Sequence, residues 1–361
     1  MSKSPPFECC LIFGGGSFNF TIHLGMLAGV RHMGYEPDLL IGTCGGGLAC
    51  AVINRFPSSD DQKAFIQTKD FFDFIHTVKP NRLSIPYLMS HLIRMQVRYL
   101  YGKWTHRPNT FIPNFLEKSI FRIDDPMNLV NFQKPFSSTF PRLLMTAGKI
   151  LIDPHTRPLQ NTHQKILKEV FFTDDQTASF LENFKSNISR FYPDSFLIPE
   201  TETIMHWTAD LAARAAIADP FLINPFRKEG TYYLSGSINL YPLELARHLS
   251  KKIIIPYSPR FGFIDQVVLR HFYGYDNIER YTYITAQAVD HWVDFTDYTP
   301  AMKDHGFEPV GDYLRGKILH RVPKDLNAFR KYALKQWEYG FYRAQEALKQ
   351  APFSKNHIRI P

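Results

Sequence analysis

The chain has 361 residues, of which 44% are hydrophobic and 15% aromatic, and its formal net charge is +8. This composition excludes a disordered or low-complexity chain and provides a large core, as one large domain or a domain carrying insertions. The basic balance suits an anionic membrane surface or nucleic acid. No nucleic-acid-binding motif accompanies it.

The N-terminal Met1-Ser2-Lys3-Ser4-Pro5-Pro6 precedes no long apolar run. Neither a signal peptide nor a transmembrane helix is expected, and the reading is a cytoplasmic protein that also visits membranes. The four cysteines, Cys9, Cys10, Cys44 and Cys50, all fall in the first strands and helices, and two are adjacent. That is not a disulfide framework, and it fits a reducing compartment where a reactive thiol persists.

In chain order, Cys10-Leu11-Ile12-Phe13 is a short apolar run. It leads through Gly14-Gly15-Gly16-Ser17 into an amphipathic helix that carries His23, Leu24, Met26 and Leu27 and ends near Gly34. Backbone N–H groups in such a loop can cradle an oxyanion. A dinucleotide fingerprint fits poorly, because the sixth position from Gly14 is Asn19 rather than glycine. His23 reads as a capping or packing residue. The next strand, Leu39-Leu40-Ile41, runs into Gly42-Thr43-Cys44-Gly45-Gly46-Gly47 and a helix start. Gly42-x-Cys44-x-Gly46 is the strand–turn–helix elbow Gly-x-Ser-x-Gly with sulfur in place of the hydroxyl. Helix N-termini favour negative charge and lower a cysteine pKa toward the thiolate. The plainer alternative is a glycine turn holding a small buried cysteine.

Residues 57–141 read as an insertion. Between Asp73 and Glu117 there is no acidic residue, while Lys79, Arg82, Arg94, Arg98, Lys103 and Arg107 all occur. Leu88, Leu92, Met95 and Tyr99 recur at helical spacing, with Tyr101 and Trp104 close by. This describes either an interfacial helix, with Arg94, Arg98, Lys103 and Trp104 as candidate membrane contacts, or a surface helix packing Leu88 and Leu92 on the core. The second is preferred. A core strand resumes at Arg142–Ile152, an Ala-rich segment runs from Arg214 to Asp219-Pro220-Phe221, and Tyr232-Tyr233-Leu234 leads into Ser235-Gly236-Ser237. Lys251–Pro256 reads as another strand, and the remainder from about Gly262 as mainly helical. Asp219, in an Ala-Asp-Pro turn, reads as a turn residue. No metal-ligand spacing stands out.

Taken together, the glycine loop, the elbow, the Ala-rich helix with its Pro-Phe exit and the Ser235–Pro242 turn resemble the patatin-like phospholipase family. A closing helix with Gly340-Phe341-Tyr342-Arg343-Ala344 extends the resemblance over most of the chain. It implies a three-layer α/β/α sandwich with a mainly parallel sheet. The patatin-like core would span residues 8–260, and 261–361 would complete the same domain. It also implies a Ser–Asp dyad without histidine, and both members have changed: Cys44 stands at the nucleophile position and Ser235 at the aspartate position. Part of the oxyanion loop is altered as well, with Ser17 in place of the third glycine. The implied oxyanion donors are Gly14, Gly15, Gly16, Ser17 and Gly45, with Gly42 and Gly46 shaping the elbow. The implied activity is hydrolysis or transfer of a fatty acyl ester from a phospholipid through a Cys44 acyl-enzyme, with no cofactor and no metal. Such a thiolate, without a strong base, would tolerate the loss of the aspartate. The alternatives are a pseudoenzyme binding lipid or protein through the same groove, and an acyltransferase.

Overall fold

A computed structural model of the chain describes residues 4–81, 84–105, 119–124, 132–152, 165–258, 262–312 and 317–349; for Ser17, Arg98, Gly102, Lys103, Phe263, Glu308, Pro309, Asp312 and Lys317 it describes the backbone alone. Arg82, Arg107 and Glu117, singled out from the sequence, lie outside these residues.

The first half of the sheet follows from local pattern. Strand β1 (Phe7–Phe13) leads through a 3-10 turn (Ser17–Asn19) to helix α1 (Thr21–His32), then β2 (Leu39–Thr43) to α2 (Gly45–Arg55). The insertion holds α3 (Ser59–Phe65), α4 (Lys69–His76), β3 (Lys79–Pro80), the long α5 (Ile85–Thr105) and β4 (Phe121–Arg122). The core resumes with β5 (Arg142–Ile150), β6 (Leu167–Phe172), α6 (Asp175–Ser179), α7 (Asn187–Phe191), β7 (Glu202–Ile204) and α8 (Ala209–Ala216). It continues with β8 (Phe226–Lys228), β9 (Thr231–Leu234), α9 (Leu243–Leu249) and β10 (Ser250–Tyr257). The rest comprises α10 (Phe263–Tyr273), α11 (Asn277–Thr285), β11 (His291–Asp294), α12 (Tyr298–Ala301), the hairpin β12 (Glu308–Asp312) and β13 (Lys317–Arg321), and α13 (Leu326–Lys349). The C-terminal part is thus helical around an added sheet edge, β11, and a hairpin.

The sheet runs in the order β11-β10-β1-β2-β5-β6-β7, with β9 also on β5 and β8 on β9. From β11 to β5 all pairings are parallel; β6 and β9 join β5 antiparallel. Parallel strands are buried on both faces, so they read as continuous apolar runs. The period of two then sorts the side chains. Cys9, Leu11 and Phe13, with Leu40, Leu143 and Met145, join the core under α1, α2, α8 and α13. Cys10 and Ile12, with Leu39, Ile41 and Leu144, face the layer that includes α9 and α11. The result is a three-layer α/β/α sandwich with a mostly parallel central sheet, as the sequence implied.

One helix crossing closes the first face. Gly25 and Gly29 on α1 meet Gly340 and Ala344 on α13. A Cβ on Gly25 would sit 1.9 Å from the Trp337 carbonyl oxygen, and one on Gly340 would sit 2.0 Å from that of Ile22. Small residues four apart on both helices let the backbones touch, and Thr21 donates to Gln336 across the seam. Gly25→Ala therefore cannot be absorbed by a side-chain shift. We expect it to cost on the order of 3 kcal/mol or more, read as a lowered denaturant midpoint or loss of soluble protein. An unchanged midpoint would contradict this packing.

Candidate active site

The β2–α2 turn carries Cys44 in a conformation that a non-glycine residue rarely adopts, with φ 50° and ψ −122°. Such strain persists only where the surroundings enforce it. Two glycines do so by close approach. A Cβ on Gly42 would come within 2.5 Å of the Gly46 carbonyl oxygen, and one on Gly46 within 2.3 Å of that of Phe13. The Gly46 N–H donates to the Gly14 carbonyl at 3.1 Å, fastening the elbow to the glycine loop. Cys44 thus sits at the N-terminus of α2, where α-helices leave N–H groups without intrahelical partners.

The glycine loop divides its work. Gly14 is buried and turned to the elbow, whereas Gly15 and Gly16 border the cleft beside Cys44. Gly16 has φ 119°, and Ser17 opens the 3-10 turn that follows. His23, buried beneath the loop and against the Phe13 ring, reaches the Gly15 carbonyl from Nε2 at 2.9 Å. A carbonyl only accepts, so Nε2 carries the proton. Burial first, opposed by the Gly15 and Gly14 carbonyls, pushes the imidazole down from 6.5 to about 4. His23 therefore holds the loop as a neutral ring. Between those two values the unfolded chain takes up a proton that the folded chain does not. Stability is full above about pH 6.5 and falls as pH drops toward 4, with about 2 kcal/mol lost by pH 5. Denaturant midpoints from pH 7 to 5 should fall more steeply in the wild type than in His23→Asn. Equal slopes would contradict a neutral buried ring.

Cys44 has a carboxylate partner that sequence reasoning set aside. Its Sγ donates to Asp219 Oδ2 at 2.9 Å. Asp219 leaves α8 in a turn in which its carbonyl accepts from Leu222 and Ile223. Its Oδ1 has no hydrogen-bond partner among the described residues. The structure therefore corrects the reading of Asp219 as a turn residue alone. Ser235 is fully buried, and its hydroxyl accepts from the Ser237 N–H at 2.9 Å, capping the 3-10 turn Gly236–Asn239. The two loops are neighbours, since the Ser235 N–H donates to the Ala218 carbonyl at 2.9 Å. A Cβ on Gly236 would lie 3.0 Å from the Cys44 backbone nitrogen. The carboxylate thus reaches Cys44 from the adjoining loop. Beside it, Tyr273 is fully buried, with its hydroxyl 2.8 Å from Ser237 Oγ. Burial first, then the Asp219 charge, pushes its phenol well above 10 and keeps it neutral.

Cys44 and Asp219 open into a cleft of about 740 Å³. Its walls are mostly apolar: Leu88, Met89 and Leu92 from α5, Ile264 and Val268 from α10, and Phe221. Asp265 also borders it. The other cysteines have no such setting. Burial first, with nearby carboxylates next, pushes Cys9 up to about 12, and burial likewise raises Cys10 and Cys50. Among the described residues no group of three or more His, Cys, Asp or Glu could hold a metal ion.

The strained elbow, the glycine loop beside it and the apolar cleft above it are the parts of an α/β acyl hydrolase. The family model for Patatin-like phospholipase matches residues 11–246. The chain belongs to the patatin-like phospholipase family, whose members are lipid acyl hydrolases. No curated protein matches it significantly. Among solved structures it is loosely similar to VipD from Legionella pneumophila, at 10% identity and a TM-score of 0.35, over 96% of this chain and 67% of that one.

Proposed function

We propose that the protein cleaves fatty acyl esters of phospholipids or related lipids, with Cys44 as nucleophile and Asp219 as proton acceptor. The 2.9 Å contact between Cys44 Sγ and Asp219 Oδ2 at the floor of an apolar cleft carries this reading. It revises the bare-thiolate mechanism expected from the sequence, because a base stands beside the sulfur.

The acyl carbonyl carbon would be placed over Cys44 with its chain along the Leu88, Leu92 and Val268 wall. Sγ attacks that carbon as its proton passes to Asp219. The N–H groups of Gly15, Gly16 and Gly45 would donate to the developing oxyanion. Collapse breaks the ester C–O bond, and the departing alcohol takes the proton from Asp219. Water then attacks the Cys44 thioester with Asp219 again accepting a proton. The free fatty acid leaves and the proton returns to sulfur. His23 has no part in this sequence, since it serves the loop.

Activity on a long-chain phospholipid dispersed in mixed micelles tests the reading. Fatty acid release by the wild type and none by Cys44→Ala supports it; equal rates would overturn it. Ser235→Ala separates the two candidate partners of Cys44. Losing the cap should cost about 1 kcal/mol of stability, with kcat/KM within about threefold of wild type. A collapse of kcat at retained fold would return the role to Ser235.

A further inference from the structure

Helix α5 has two apolar faces, and only one of them is covered. Leu88, Leu92 and Met95 are buried, and Tyr99 carries the Arg270 guanidinium 4.6 Å above its ring. This is the stripe read from the sequence, and it packs on the core side as preferred there. A second seam is displaced from it by about a third of a turn. Met89, Ile93, Val97, Leu100 and Trp104 recur at three- and four-residue spacing and stand in solvent, with Ile93 59%, Val97 58% and Trp104 80% exposed. From Met89 to Trp104 the seam runs about 22 Å along the helix. Contiguous exposed apolar surface of this kind marks an interaction face.

We propose that this seam docks the protein on an anionic lipid bilayer, with α5 lying flat in the headgroup region. Charge selects that occupant. In the sequence no acidic residue lies between Asp73 and Glu117, and three of the six basic ones there, Arg94, Arg98 and Lys103, fall on α5 itself, while Lys79 pairs with Asp124. Arg94 is exposed, one helical face away from Ile93 and Val97, and its guanidinium bonds only Ser90 among the described residues. Continuity with the cleft supports the same occupant. Met89 begins the seam and borders the cleft, and the exposed Ile264 of α10 borders it too. A lipid surface against the seam would therefore face the opening through which an acyl chain reaches Cys44. Trp104 and Tyr101 at the far end suit the polar–apolar boundary. No described helix is long and apolar enough to cross a membrane. The inference rests on the lipid-hydrolase reading only in taking the cleft as the acyl entrance.

The experiment is sedimentation of the full chain with phosphatidylcholine vesicles, with and without phosphatidylserine, and it needs no turnover. Wild type and Cys44→Ala should pellet equally with the anionic vesicles. The double variant Ile93→Asp/Val97→Asp should lose at least about tenfold in affinity, and Arg94→Glu should lose the preference for phosphatidylserine. The thermal midpoints of these variants should match wild type, because the altered side chains are exposed. The proposal is overturned if the double variant binds like wild type or if the wild type binds neither vesicle. It is also overturned if the double variant changes only oligomer mass in light scattering, which would make a second copy of the chain the occupant. Vesicle binding without hydrolysis would sink the hydrolase reading and leave docking standing. Micellar hydrolysis without seam-dependent binding would do the reverse.

Discussion

Cys44→Ala is expected to lower kcat/KM for a long-chain acyl ester by at least about 10⁴-fold, because the attacking atom is removed while the cleft and the oxyanion donors remain. The effect should fall on kcat. Leu88, Leu92 and Val268, which would bind the chain, do not depend on the sulfur. Alanine keeps the Cβ that the strained position already accommodates, so the fold should persist. The remaining thiols cannot substitute: Cys9, Cys10 and Cys50 are buried in the core, and burial holds their protons on. Turnover followed by fatty acid release, with circular dichroism as the control of fold, checks this. Activity within tenfold of wild type would exclude Cys44 as nucleophile.

Asp219→Asn is expected to lower kcat about 10³-fold at neutral pH, within the range for loss of a general base. The change is nearly isosteric, and the amide oxygen can still accept from the thiol, so geometry and KM should be held. An amide cannot take the proton, however. Sulfur would then have to lose its proton to solvent, so the rate of the variant should climb with pH where that of the wild type is level. That profile is the signature, because a merely structural role for Asp219 would lower activity without tilting it. A variant with wild-type kcat and a level profile would remove Asp219 from the chemistry.

How much of this was legible in the sequence depended on range. Strand β1, the glycine loop, α1, β2 and the elbow could be read because each is set by neighbours a few residues apart. The glycines announced turns, and the apolar runs announced strands buried on both faces. Asp219 could not be read. It lies 175 residues from Cys44, and nothing local distinguishes it from any aspartate in a proline turn. The signal that was available was indirect: Ser235 had lost the carboxylate, and an acid stood at the exit of the neighbouring Ala-rich helix. The structure joins these two facts through one backbone hydrogen bond, Ser235 to Ala218. Helix α5 illustrates a different limit. Periodicity located a stripe through Leu88 and Leu92 and favoured it as the side the core covers, but it gave no sign of a second apolar seam. The second seam through Ile93 and Val97 is visible only once α10 is in place against the first. The hairpin β12–β13, whose Gly311 and Ile318 border the cleft, gave no signal, since its strands are short and polar at both ends.

The most direct test is the covalent state of Cys44 during turnover. The purified protein is mixed with a long-chain acyl ester, quenched in acid within the first turnover, and analysed by mass spectrometry of the intact chain and its peptides. A single acyl adduct on the Cys44 peptide, released by neutral hydroxylamine as a thioester should be and diminished in Asp219→Asn, is the predicted result. An adduct on another residue, or fatty acid released with Cys44 never acylated, would contradict the account.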